Sequence, residues 1–278
     1  MRIALTGASG YVGRTLLQAL RKAGHDTHAW SRRECPAPWH RYDLAPDPHT
    51  LPWEGCDALI HAAHDFTARD DADNLRLNIK PSVALLRTAR QAGVRRLIFI
   101  SSLSSFDGTR STYGRTKLAI EKECLAHGGM VIRPGLVWGD HPGGVMGALE
   151  RIVTRLPVVP CLTGPRGLPQ YLIHEQDLAN TVLHALGANP PPTAHLIEAA
   201  CPNPLPIREI LTRIARRQSL HRLFPPLPWQ VAMACLKTAE ALSLNSPFRS
   251  DSLTGLVYGI PSLQSDPSHP RRQFRPFV

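Results

Sequence analysis

The chain has 278 residues, of which 43% are hydrophobic, and 32 basic against 22 acidic side chains give it a formal charge of +10. That apolar content supplies a sizeable buried core and excludes disorder as the dominant state, and the length suits one large domain or a main domain with an appendage. The basic residues are scattered without an aromatic-interleaved stripe, so they read as solvated surface with a minority placed for phosphate-bearing small ligands, and no nucleic-acid partner is expected.

Six cysteines (Cys35, Cys56, Cys124, Cys161, Cys201, Cys235) stand far apart with no C-x-x-C, and no secretory leader is read ahead of Met1-Arg2-Ile3. Reduced thiols in the cytoplasm are expected. No run approaches the roughly 20 apolar residues of a membrane span. Trp229 to Leu244 comes nearest, is broken by Lys237 and Glu240, and is expected to be a packing helix, with no membrane partner.

In chain order, Arg2 to Thr6 is an apolar strand, followed by a glycine turn and a helix with Leu16, Leu17 and Leu20 at helical spacing. Thr27 to Ser31 and Asp57 to Ala63 read as strands. Asn78 to Gln91 reads as a helix with Pro81 in its first turn and Gly93 as its stop. Arg96 to Ile100 is a strand ending in Ser101-Ser102, Tyr113 to Ala126 a helix closed by Gly128-Gly129, and Met130 to Arg133 a further strand. This alternation predicts an α/β fold with a doubly wound parallel sheet, whose ligands belong at the strand C-termini.

Beyond residue 141 the pattern loosens. Helices are expected at 144–155, 175–187, 206–217 and 228–243, and a returning strand at 194–199. Fourteen of the 26 prolines fall in the last 89 residues, so the tail should be loop-rich, with Pro190 to Pro192 and Pro225-Pro226 as rigid connections. The expected division is a dinucleotide-binding domain over 1–198, with substrate-side insertions around 140–172, and a small capping region over 199–278. Phe224, Trp229, Phe248, Tyr258 and Phe274 are candidates for an apolar pocket there or for core, and Arg271-Arg272 with Arg275 is the densest late basic cluster.

The turn Thr6-Gly7-Ala8-Ser9-Gly10-Tyr11-Val12-Gly13 lies where free N–H groups and a helix dipole attract a pyrophosphate. Its G-x-x-G-x-x-G spacing is one residue longer than the G-x-G-x-x-G fingerprint. NAD binders carry an acidic residue at the end of the second strand. Here that place holds Ser31, Arg32 and Arg33, which can clamp a 2′-phosphate, so NADP is expected, with NAD as the alternative. Arg14 is expected to face solvent rather than phosphate.

Tyr113 and Lys117 stand four apart and share a helix face, so an ammonium near the phenol should lower a pKa that is ordinarily about 10. Ser101, Ser102 and Ser104 at the preceding strand end can offer a hydroxyl to a carbonyl oxygen, and Ser102 is the choice among them. Ser102 and Ser104 share a face if the strand persists.

With these motifs in one order, the chain resembles the extended short-chain dehydrogenase/reductase superfamily, the NAD-dependent epimerase/dehydratase family. The likeness also runs through Asp43-Leu44, Asp57-x-x-Ile60-His61-x-Ala63, Asn78, Arg133-Pro134-Gly135-x-Val137-x-Gly139 and Ile173-His174-x-x-Asp177-Leu178-Ala179. It implies a Rossmann-type fold and a proton relay at Tyr113. It also implies that Lys117 holds the nicotinamide ribose, that a serine orients the substrate oxygen, and that hydride passes to or from nicotinamide C4. An adenine contact at Asp43 and cofactor packing by Ala62, Ala63 and Pro134 follow from the same likeness, as does a small-molecule substrate with sugar nucleotides favoured. Relatives pair two such helices across a twofold, so a homodimer and a monomer are both expected possibilities.

The chain departs from the NAD-using members in lacking the acidic ribose ligand, and the segment between Ser102 and Tyr113 is short. His174 and Asp177 are expected to tie strand to helix. Thirteen histidines without H-E-x-x-H or paired Cys/His spacing give no metal site, and His61 with His64 reads as a strand end. Hydrolysis lacks its G-x-S-x-G elbow. The rivals to an enzyme are an inactive NADP-binding protein of the same fold, suggested by the proline-rich tail, and an RNA-associated protein, suggested only by charge.

Overall fold

The computed structural model describes residues 1–44, 48–188, 195–242, 244, 248–263 and 274–278. Pro190 to Pro192 and Arg271-Arg272 lie outside them. Runs of three to six residues, most of them apolar, form the strands of one parallel sheet: β1 (Arg2–Thr6), β2 (Asp26–Ser31), β3 (Trp39–Arg41), β4 (Ala58–His61), β5 (Arg96–Ile100) and β6 (Met130–Pro134). Three further pairs use β7 (Leu136–Trp138), β8 (Cys161–Thr163), β9 (Pro169–Gln170) and β10 (Leu172–His174). The strand β11 (His195–Ala199) returns to the main sheet, and β12 (Leu205–Pro206) and β13 (Pro226–Pro228) complete the set.

The sheet order is β11-β6-β5-β4-β1-β2-β3. The chain therefore reverses direction across the sheet between β1 and β4, which opens a crevice at their C-terminal ends. Gly7, following β1, and Ala62, following β4, face each other there: a Cβ on Gly7, whose φ is +71°, would stand 2.8 Å from the Ala62 carbonyl carbon.

Helices cover both faces. On one side α1 (Tyr11–Lys22) and α6 (Glu175–Gly187) pack together, with Leu16, Leu20, Val182 and Leu186 against Ile3, Leu5 and Ile98. On the other, α3 (Lys80–Gln91) and α4 (Thr112–Ala126) bring Leu85, Leu86 and Ile120 onto Leu59, Phe99 and Val131. Before α3 run a short helix α2 (Asp71–Asn74) and a π turn at Leu75–Ile79. The expected helix thus starts two residues late, and the wider turn precedes it.

A third core joins α5 (Gly144–Arg155) to α7 (Ile207–Arg217), with Met146, Val153, Ile210, Ile214 and Phe277 buried together. It takes residues from both sides of position 198. The remaining helices, α8 (Trp229–Ala241) and α9 (Ser250–Val257), were unequal tasks for the sequence: α8 falls at its expected place, and α9 was not foreseen. Helix α8 packs on α9, as the edge-on contact of Trp229 with Tyr258 shows, but it does so at the surface: none of its residues is fully buried, and Val231 is 49% exposed. No helix among the described residues is long and apolar enough to cross a membrane.

Candidate active site

The crevice holds two adjoining cavities. The smaller, about 290 Å³, is walled by Ser9 and Gly10 of the glycine turn, by Ser31, Arg32 and Arg33 after β2, and by Asp43 and Leu44 after β3. The larger, about 650 Å³, runs past Tyr11, Val12 and Gly13 to Ser102, Tyr113, Lys117 and Pro134. Gly7, Gly10 and Ala62 border both, and Ala63 borders the smaller. Two chambers meeting at a helix N-terminus fit a dinucleotide with its pyrophosphate over the turn. The turn itself requires glycine: a Cβ on Gly13 would stand 2.1 Å from the Gly7 carbonyl oxygen. A side chain there would fill the cradle.

At the smaller cavity the basic residues divide their work. Arg32 Nη1 pairs with Asp65 Oδ2 at 3.0 Å, spanning from the end of β2 to the loop after β4, while Arg33 is exposed. The Ser31 hydroxyl is committed locally, donating to Arg33 O at 2.5 Å and accepting from Trp39 Nε1 at 3.1 Å. Arg14 is exposed and lines neither cavity.

Asn78 also lines neither cavity. Its carboxamide closes on the Asp65 backbone, accepting from the N–H at 2.7 Å and donating to the carbonyl at 2.9 Å. It acts on the crevice by fixing the loop that carries His64, Asp65 and Phe66. Thr6 does the same one step earlier, its Oγ1 accepting from Ala62 N–H at 3.2 Å and meeting His61 Nδ1 at 2.7 Å. Burial holds His61 down to about 3, so the ring stays neutral between Thr6 and Ser82.

In the larger cavity the serines separate. The strand ends at Ile100, so Ser102 and Ser104 sit on a turn and not on one strand face. Ser101 Oγ points inward and donates to Glu121 Oε1 at 2.5 Å, beneath the site, where Arg133 grips the same carboxylate at 2.9 and 2.6 Å. Ser102 Oγ accepts from Ser104 N–H at 3.1 Å, which leaves its own hydrogen to donate.

Tyr113 and Lys117 share the wall as expected, but the phenol is not acidified. Burial pushes the Tyr113 phenol up and Lys117 down to about 7. The physical reason is that Lys117 Nζ donates to Ile100 O at 2.9 Å and lies 5.8 Å from the Tyr113 ring centre, so desolvation outweighs attraction. His64 meets the Tyr113 ring edge-on at 4.9 Å, and burial with the Lys117 charge holds this imidazole well below its ordinary range. Its Nδ1 is buried without a hydrogen-bond partner.

The sequence assigned the far wall to the 140–172 insertions and the capping region over 199–278, but not the side chains that form it. Arg249, Asp251 and Gln170 line the larger cavity, while Phe224, Trp229, Phe248, Tyr258 and Phe274 line neither. Trp229 instead packs edge-on against Tyr258 at 5.7 Å, and Phe224 and Phe274 pack on core. His174 accepts from Gln176 N–H at 3.2 Å and Asp177 from Arg275 N–H at 2.7 Å, so both residues tie elements together.

A parallel sheet with this order, a glycine turn at its first crossover and a serine, tyrosine and lysine facing one crevice define a dinucleotide-dependent enzyme of the Rossmann type. The model of the NAD dependent epimerase/dehydratase family matches residues 3–196, and the chain belongs to that family. It is 30% identical to a ceramide reductase of Caulobacter vibrioides over 64% of its own length and 58% of that protein's. It is 27% identical to the 4-hydroxy-2-methyl-3-oxo-4-farnesyl-3,4-dihydroquinoline-1-oxide ketoreductase of Stigmatella aurantiaca, over 93% of this chain and 86% of the relative. A UDP-glucose 4-epimerase of Thermus thermophilus in complex with NAD shares the fold, with a TM-score of 0.70, 20% identity, and 82% of this chain and 86% of that one covered.

Proposed function

We propose that the protein is an NADP(H)-dependent reductase of a small-molecule ketone, a sugar nucleotide included in that class. The observation that carries this reading is one cavity in which Ser102, Tyr113 and Lys117 open onto the glycine turn. The Stigmatella and Caulobacter relatives, named a ketoreductase and a reductase, support carbonyl reduction as the chemistry. Bound along the crevice, the dinucleotide supplies the hydride.

The chain's own residues would do the rest. Ser102 Oγ and the neutral Tyr113 phenol donate to the carbonyl oxygen, and the phenol's proton passes to the developing alkoxide. The phenol holds its proton at neutral pH, the form that donates to a developing alkoxide. Lys117, titrating near 7, stabilises the phenolate left behind. Arg33, exposed beside the smaller cavity, would take the 2′-phosphate, with Arg32 moving between that phosphate and Asp65.

The test is NADPH oxidation across a ketone panel by wild type and Tyr113→Phe, for which a loss of about 100-fold or more is expected. Equal turnover would defeat the assignment. Fluorescence titration of NADPH and NADH should show tighter NADPH binding, lost in Arg33→Ala. A wild type that prefers NADH refutes the 2′-phosphate site.

A further inference from the structure

The N-terminal end of α4 is held from 138 residues away. Thr112 N–H donates to Asp251 Oδ1 at 2.7 Å, Tyr113 N–H to Asp251 Oδ2 at 3.1 Å, and Ser111 Oγ to the same oxygen at 3.2 Å. Ser111 Oγ in turn accepts from Gly114 N–H at 3.0 Å. The first three N–H groups of a helix have no partner within it. Here the third goes to the local serine, and the first two go to a carboxylate placed on the positive end of the helix dipole.

One of those two amides belongs to the residue that bears the phenol. The neighbours of Asp251 hold the other side of the same ring. Arg249 Nη1 donates to Phe66 O and Ala68 O, both at 3.2 Å, in the loop whose His64 and Phe66 pack on the Tyr113 ring at 4.9 and 6.0 Å. Glu240 of α8 accepts from Ser250 N–H at 2.9 Å and from its hydroxyl at 2.7 Å, so α8 anchors this tripeptide. Residues 249–251 therefore bond the Tyr113 backbone directly and brace its ring only through the loop of His64 and Phe66, and Arg249, Ser250 and Asp251 are themselves cavity wall.

We propose that Asp251 is a positioning residue for Tyr113: its carboxylate, carried by α9, sets where the phenol stands, so that the seating of the C-terminal region over the substrate and the alignment of the proton donor are one event. The proposal rests on the reductase reading of the site. Its consequence is that the C-terminal region controls turnover as well as binding. A substrate that lets α9 seat is reduced, and one that lifts α9 is bound without efficient proton transfer.

The experiment compares the full-length wild type, Asp251→Ala, Asp251→Asn and Tyr113→Phe in NADPH-dependent reduction of isatin, a small activated ketone, and in amide hydrogen exchange. Misplacing a reacting group by about 1 Å costs on the order of 100-fold in rate, and a kcat loss of that size is expected for Asp251→Ala. KM for isatin and affinity for NADPH should stay near wild type. Asp251→Asn, whose amide oxygen keeps one acceptor, should recover part of kcat. Exchange at the Thr112 and Tyr113 amides should quicken in Asp251→Ala while β5 stays protected.

A purely structural cap would change stability and leave kcat of the folded fraction intact, which overturns the proposal. Unchanged exchange at the two amides overturns it whatever the kinetics. Should Asp251→Ala fail to fold, Asp251→Asn reads the same two quantities. Full kcat in Asp251→Ala beside an inactive Tyr113→Phe defeats the positioning role alone. Wild-type rates in Tyr113→Phe defeat the reductase reading itself.

Discussion

The two walls of the crevice are built by different means. On the sheet wall, the groups at the strand ends are set within a few residues of the strand that carries them: Gly7 in the turn after β1 and Gly13 in the first turn of α1, Arg32 and Arg33 after β2, Ser102 after β5. On the facing wall, Arg249 and Asp251 take their positions from bonds to carbonyls and amides 138 to 183 residues away. The first wall can form as each βα unit forms. The second exists only once the C-terminal region has docked, which makes it the adjustable side of the site.

Breaking the buried network of the sheet wall should have the largest effect. Glu121 sits under Ser101 and holds Arg133 through two contacts at 2.9 and 2.6 Å, both side chains nearly out of solvent. Removing one charge of a buried pair costs about 3 kcal/mol or more. Glu121→Gln should lower the unfolding free energy by that amount in urea titrations. A change under about 1 kcal/mol would mean that Glu198, 3.8 Å from Arg133, already neutralises it.

Acid should weaken the same wall next. His61 titrates near 6.5 when unfolded and near 3 when folded, so the unfolded chain binds the extra proton between those values. Stability contributed by the neutral ring is intact above pH 6.5 and is lost as pH falls towards 3, at about 1.4 kcal/mol per pH unit. Urea midpoints measured from pH 7 to pH 4.5 should decline accordingly, and His61→Asn should flatten the decline. An unchanged slope in the variant would move the acid sensitivity to another group.

On the adjustable wall the expected effect is smallest in free energy and most local. Arg249→Met removes two hydrogen bonds from a half-exposed guanidinium and should cost about 1 kcal/mol globally. Limited proteolysis should nevertheless quicken in the loop around Phe66. Equal loss of global stability in Arg249→Met and Glu121→Gln would erase the distinction between the walls.

All the sheet strands but β3, the flanking helices and the residues of the glycine turn were legible because each signal is short-range: apolar runs, helical spacing and a turn that only glycine fits; β3, Trp39-His40-Arg41, is too short and polar to show as an apolar run. Helix α5 fell on its expected residues 144–155, and β11 joined β6 as a returning strand. Helix α9 was not legible, because Ser250 to Val257 is short and its capping partners, Glu240 and α4, are distant in sequence. The five C-terminal aromatics were readable as apolar but not as lining, since a cavity is a relation between elements.

The sequence by itself determined the family and fold class of the molecule and which residues are candidates for the dinucleotide turn and for the site, Ser102, Tyr113 and Lys117 among them, because spacing along a helix or at a strand end is fixed by local geometry. Tertiary structure alone decided that Ser101 is spent on Glu121, that burial reverses the expected acidification of Tyr113, and that Asp251 reaches the helix bearing it. Each of those depends on which groups are desolvated together, and desolvation is set by the packed whole.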